Sequence, residues 1–321
     1  MSQIAFGVQT FGWSVSEEDA CRLLDVYTGA GGNYIDTADS YNEGRSEEIT
    51  GSWIGRSGRR QDVILGTKVF FPTGDGPNDC GHSRKHIIDS VERSLRRLGT
   101  DHIDLLQLHC FDRQTPPDEI SLTMDILVRS GKIRYWGLSN FTGSEIMKLR
   151  FASLTTANAL PVSLQLEYSL LVRSSEWELL PLCADQDMGA LAWSPLAGGW
   201  LSGKYRRGKA LPCDSRAGVG DRWDDNADQR ADERTWRIID SLAAISGETG
   251  ADIAAVSLAW MMSRKTPVFP LIGARTEQQL SANLAAADLR LSPDHIEELD
   301  RVSAVSEPYP YSFINRYGRN D

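Results

Sequence analysis

Lysine is scarce in this chain: seven of its 34 basic residues are Lys and the rest are Arg. Each ammonium group therefore stands out. Positive charge as a whole is outweighed, because the formal net charge is −10, and this argues against the basic footprint that nucleic-acid binding requires. Five cysteines, Cys21, Cys80, Cys110, Cys183 and Cys213, occur without a Cys-x-x-Cys pair, so neither a disulfide framework nor a zinc knuckle is expected. No apolar run is long enough to span a bilayer. Met1-Ser2-Gln3-Ile4-Ala5 carries neither a basic region nor an apolar signal core, so no membrane association is expected and the expected address is the cytoplasm. No Gly-x-Gly-x-x-Gly follows a strand-like run, which argues against a Rossmann dinucleotide domain.

What is present is an alternation. Of the 321 residues 41% are hydrophobic and 24% charged, a balance that suits an ordinary folded domain. Short apolar runs at 4–7, 34–36, 63–67, 103–108, 133–138, 162–166, 190–193 and 268–271 read as eight strands. Amphipathic segments at 17–30, 83–98, 118–130 and 142–151 read as intervening helices. Nearly continuous apolar strands separated by helices predict a parallel sheet covered on both faces, and eight such units close as an α/β, (β/α)8 TIM barrel. One barrel domain over 1–321 is the expectation. Ser16 before Glu17-Glu18-Asp19, and Thr276 before Glu277, suit helix starts, while Gly99 after Arg96-Arg97-Leu98 suits a helix end. Those two arginines read as a solvated helix face. The Gly-, Asp- and Arg-rich stretch 204–229 exceeds what a connection requires and is expected to fold over the site.

Four polar residues fall at or just beyond strand ends. Tyr34-Ile35-Asp36 gives way to a polar loop containing Tyr41, Val63-Ile64-Leu65-Gly66-Thr67 leads to Lys68, and Ile103-Asp104-Leu105-Leu106-Gln107-Leu108 leads to His109. Three strands would thus deliver functional groups to the C-terminal mouth of a barrel, where such folds build their active sites. Cys80, His82 and His86 form Cys-x-His-x3-His, but without a fourth ligand nearby this reads as a loop entering a helix, and no metal is expected. Thr10, Phe11, Trp13, Trp53, Phe70, Phe71 and Trp200 are placed around the mouth. Thr10, Trp13 and Phe70 are the candidates for lining a substrate pocket.

These motifs, together with Phe6-Gly7-Val8-Gln9-Thr10-Phe11-Gly12, Gly137-Leu138-Ser139-Asn140-Phe141, Trp193-Ser194-Pro195-Leu196 and Gly273-Ala274-Arg275-Thr276, closely resemble the aldo-keto reductase superfamily over nearly the whole chain. The likeness is strongest to its longer bacterial members and to the β subunits of voltage-gated potassium channels. It implies NADPH-dependent reduction of an aldehyde or ketone, with Tyr41 as proton donor, Lys68 lowering the phenol pKa, Asp36 holding Lys68 charged, and His109 orienting the carbonyl. By the same resemblance Ser139, Asn140 and Gln165 hold the nicotinamide carboxamide and Trp193 stacks on the ring. The run Ser194-Pro195-Leu196-Ala197-Gly198-Gly199, with Lys204, matches the pyrophosphate loop. Arg216 aligns near the adenosine 2′-phosphate, and Gly273, Arg275, Gln279 and Asn283 match the adenine side. Two guanidinium groups, on Arg216 and Arg275, favour NADPH over NADH. Two further readings stay open: a reductase of nucleotide-linked 4-keto-6-deoxyhexoses acting at the 2,3 position, and a channel β-subunit-like regulatory protein. Homo-oligomerisation is left open as well. Relatives usually carry a short β-hairpin before the first strand, so the barrel floor here is expected to be sealed differently.

Overall fold

The computed structural model describes residues 1–205, 207–208 and 230–318. Arg216, and most of the stretch expected to cover the site, lie outside them. Eight parallel strands close in sequence order: β1 (Ala5–Gly7), β2 (Tyr34–Asp36), β3 (Ile64–Val69), β4 (Ile103–Leu108), β5 (Ile133–Ser139), β6 (Ser163–Glu167), β7 (Gly189–Trp193) and β8 (Val268–Ile272). The ring shuts where Ala5 of β1 pairs with Leu271 of β8. Helices α1 (Glu17–Gly29), α2 (Arg45–Ser57), α3 (Arg84–Leu98), α4 (Pro117–Arg129), α5 (Gly143–Thr156) and α6 (Leu179–Asp185) follow β1 to β6. Helices Glu233–Thr249 and Ile253–Met262 precede β8, and Glu277–Leu284, Pro293–Ser303 and Tyr311–Tyr317 follow it.

The expected barrel is therefore present, and three helices follow its last strand. Strand β3 runs two residues beyond its expected end, because Lys68 and Val69 pair with Gln107 and Leu108, so Lys68 belongs to the strand. Helix boundaries follow the capping chemistry: Ser16 accepts a bond from the Asp19 backbone N–H at 3.2 Å, and Thr276 does the same for Gln279 at 3.2 Å. One surface reading is overturned. Arg97 donates through Nε to the buried Glu47 carboxylate at 2.7 Å, so it ties α3 to α2.

Inside the barrel Ala5, Tyr34, Leu105, Leu191 and Leu271 form an apolar cluster with Ile64 and Phe269 packed against it. Strand residues alternate between the barrel interior and the helices, so Phe6, Ile35, Leu65 and Leu106 belong to the larger cluster shared with the helices. Gly66 makes room for the Tyr34 ring, since a Cβ there would lie 2.5 Å from the Tyr34 hydroxyl. No described helix is long and apolar enough to cross a membrane.

Candidate active site

The polar half of the barrel starts where the Tyr34 hydroxyl ends the apolar cluster, 3.2 Å from Asp36 Oδ1. Asp36 is the last residue of β2 and is buried. A strand end pointing inward carries its carboxylate to the barrel axis, where Lys68 from β3 pairs with Asp36 Oδ2. The Lys68 ammonium also donates to the Thr37 carbonyl at 2.8 Å and to the Tyr41 hydroxyl at 3.3 Å. Burial alone would pull the ammonium down. The Asp36 carboxylate, with Tyr41, outweighs that cost and raises it above its ordinary value.

Tyr41 opens a 3-10 turn, Tyr41–Gly44, whose Asn42 and Glu43 adopt left-handed φ of 49° and 57°. The Asn42 side chain holds this turn by donating to the Gln9 and Phe11 carbonyls at 2.9 and 2.7 Å, so the turn is fastened to the loop after β1. His109, one residue past β4, meets the Tyr41 ring edge-on at 5.7 Å between centroids. Burial first, and the Lys68 charge second, hold its imidazole well below the ordinary histidine value. His109 is thus a neutral ring beside a phenol and an ammonium, and the four expected residues come together.

Beneath them lies a second layer, of which the sequence singled out Gln165 but not Gln107. Gln107 of β4 donates to Asp36 Oδ1 at 2.8 Å, and Gln165 of β6 donates to the same oxygen at 3.1 Å. Gln165 also donates to Gln107 Oε1 at 3.2 Å. A carboxylate only accepts, so both amides must turn their nitrogens inward. That leaves Oε1 as the group Gln165 can offer to a ligand.

The residues expected to hold a nicotinamide dinucleotide cluster by region. Asn140, left-handed at φ 60°, donates to the His109 carbonyl at 2.9 Å and to Ser139 Oγ at 3.1 Å, while its Oδ1 accepts from the Trp193 indole at 3.1 Å. Ser139 pairs with Gln165 across β5 and β6. After β7 the backbone of Ser194, Ala197, Gly198 and Gly199 is left-handed, with φ of 49°, 49°, 65° and 96°. Pro195 and Leu196 lie within this bend, which the Gly199 N–H closes by donating to the Leu196 carbonyl at 2.9 Å. A Cβ on Gly199 would collide with the Lys204 side chain, whose Cε lies 2.7 Å from that point. An exposed ammonium therefore rests over a bare backbone bend, which suits phosphate. Past β8 the Arg275 N–H donates to Gln279 Oε1 at 2.9 Å, and Asn283 Nδ2 reaches the Gly273 carbonyl at 3.5 Å.

The aromatic candidates divide. Phe71, not Phe70, packs on His109, at 4.7 Å between centroids, and Phe70 sits behind it against His82. Trp13 is 56% exposed at the tip of the β1 loop and Thr10 is buried. Trp53 is buried in α2 with its indole on Asp25, and Trp200 packs on Tyr205 and Trp236. These two tryptophans are core. His82 and His86 direct ring nitrogens at the Val69 and Asn78 carbonyls, at 3.2 and 2.9 Å. A surface cleft of about 430 Å³ lined by Arg234, Arg237, Asp240, Ser241, Glu298 and Arg301 contains none of the residues above.

The aldo/keto reductase family pattern matches residues 3–304. An uncharacterized oxidoreductase of Bacillus subtilis is 37% identical over 320 residues, covering 94% of this chain and 92% of its own. A probable voltage-gated potassium channel subunit beta of Oryza sativa is 35% identical, covering 97% and 94%. The versiconal hemiacetal acetate reductase of Aspergillus parasiticus is 31% identical, covering 93% and 89%.

Proposed function

This chain belongs to the aldo/keto reductase family and is an oxidoreductase, and from that premise we propose that it reduces an aldehyde or ketone to the alcohol with NADPH, Tyr41 giving the proton. One observation carries the reading. The Lys68 ammonium, already paired with Asp36, stands 3.3 Å from the Tyr41 hydroxyl at the C-terminal mouth of the barrel.

NADPH, when bound, supplies hydride to the carbonyl carbon. The chain's own residues supply the rest. A free phenol has a pKa of ~10 and is a weak acid at neutral pH, but a neighbouring ammonium favours its anion. Tyr41 then protonates the carbonyl oxygen, and the phenolate left behind faces Lys68. Asp36 keeps that cation charged in a buried place where an unpaired ammonium would lose its proton. Neutral His109 orients the carbonyl oxygen through a ring nitrogen without adding a second positive charge.

For the cofactor, Ser139, Asn140 and Gln165 would meet the carboxamide, and Trp193 would pack on the nicotinamide face. The left-handed bend with Lys204 would meet the pyrophosphate, and Arg275, Gln279 and Asn283 the adenosine end. The bare backbone at Gly199, with the ammonium above it, supports this placement.

Consumption of NADPH with aromatic aldehydes, simple ketones and a keto-deoxysugar nucleotide tests the reading. Tyr41→Phe is expected to lower kcat by about 10²- to 10⁴-fold; comparable turnover by the variant would remove Tyr41 as the acid. A second reading draws on the likeness to the rice channel subunit. One barrel hosts many functions, and co-purification with a membrane channel, alongside negligible turnover of every carbonyl, would favour a regulatory subunit.

A further inference from the structure

We propose that Gln107 and Tyr34 are positioning residues for the proton donor: they fix the Asp36 carboxylate from below and so hold the Lys68 ammonium against the Tyr41 hydroxyl. The inference rests on the reading of Tyr41 as the acid. Asp36 Oδ2 is taken by Lys68, and Oδ1 accepts from Gln107 at 2.8 Å, Gln165 at 3.1 Å and Tyr34 at 3.2 Å. All four groups are buried. Every proton in the layer has one place to go, because the carboxylate only accepts and Gln107 Oε1 takes the second N–H of Gln165. Tyr34 remains a donor at working pH, since burial first and the Asp36 charge second raise its phenol well above the ordinary value.

The energetic consequence runs through charge. Donors aimed at Oδ1 offset part of the Asp36 charge on the side away from Lys68. Without them the carboxylate would draw the ammonium further from Tyr41 and repel a developing phenolate more strongly, and both effects disfavour the ionised phenol. Polar residues inside a barrel are costly unless their hydrogen bonds are complete. Placing an amide at 107 in an otherwise apolar run, Leu105-Leu106-Gln107-Leu108, is therefore explained by what it holds.

Gln107→Met keeps the length of the side chain and deletes the donor, and Tyr34→Phe deletes only a hydroxyl, so one variant can carry the test if the other does not fold. The first measurement is the tyrosinate absorbance titration of the unliganded protein, with Tyr41→Phe as the subtractive reference. The second is the pH profile of kcat with NADPH. The Tyr41 ionisation is expected to move up by about one unit in Gln107→Met, with kcat at neutral pH about tenfold lower and KM for NADPH within about twofold. Tyr34→Phe is expected to move the ionisation in the same direction by less. Titrations and pH profiles that superimpose on the wild type in both variants would overturn the positioning role, as would a loss of kcat with no shift in ionisation. If Tyr41→Phe itself retained wild-type turnover, the acid assignment would fall and this inference with it. An inactive Tyr41→Phe beside unshifted Gln107 and Tyr34 variants would remove the positioning role alone.

Discussion

Asp39 should make this protein less stable as pH rises through neutrality, and Asp39→Asn should abolish that loss. The residue is 2% exposed, and neither carboxylate oxygen makes a well-formed hydrogen bond. Burial, and then the Glu47 carboxylate on α2, raise it from 3.8 to about 8; Arg97, Ser90 and Arg93 on α3 offset only part of this. Between those two values the unfolded chain has released the proton and the folded chain has kept it. The folded state therefore binds one proton more, and stability falls by about 1.4 kcal/mol per pH unit, levelling off above the folded value. From pH 5 to pH 8 the wild type should lose about 4 kcal/mol relative to Asp39→Asn, the difference vanishing near pH 4. Urea denaturation of both proteins at pH 5, 6, 7 and 8 measures it. Parallel stability curves across that range would refute the buried, neutral carboxyl.

Two further outcomes follow from packing and charge. Gly51→Ala would push a Cβ to 2.7 Å from the Leu98 carbonyl carbon, where backbone of α3 cannot give way, and is expected to cost about 1–3 kcal/mol in denaturant titration with the NADPH affinity unchanged. Arg275→Ala should weaken NADPH about tenfold and NADH little, since a guanidinium recognises the extra phosphate; equal losses for the two dinucleotides in competitive titration would rule out that discrimination.

Strand existence was legible because apolar runs of three to six residues bounded by turn residues have one economical solution, a buried parallel sheet. The strand ends were less so. Lys68 looked like the first residue past β3, yet cross-strand bonding to β4 carried the strand through it, a property of the neighbour and not of the segment. Arg97 looked like surface because its own helix is amphipathic, and only the packing of α2 on α3 sets it beside Glu47. Phe70 and Phe71 are adjacent in sequence, and the backbone turn after β3 alone decides which ring meets His109. Gln107 gave no signal, since one amide in an apolar strand has meaning only once its cross-barrel partners are known.

From the sequence alone came the alternation of strand and helix, and with it the barrel and the rim on which Asp36, Tyr41, Lys68 and His109 stand. Tertiary structure supplied the reason that Asp36, the carboxylate the resemblance named, and not Asp39 serves Lys68. Asp36 and Asp39 lie three residues apart, but Asp36 is still in β2 and points along the barrel axis, while Asp39 has left the strand and faces Glu47 and α3. The inward pleat of a closed barrel brings Gln165 within 3.1 Å of a residue 129 positions away, and no local pattern records that meeting, because it follows from the closure of all eight strands.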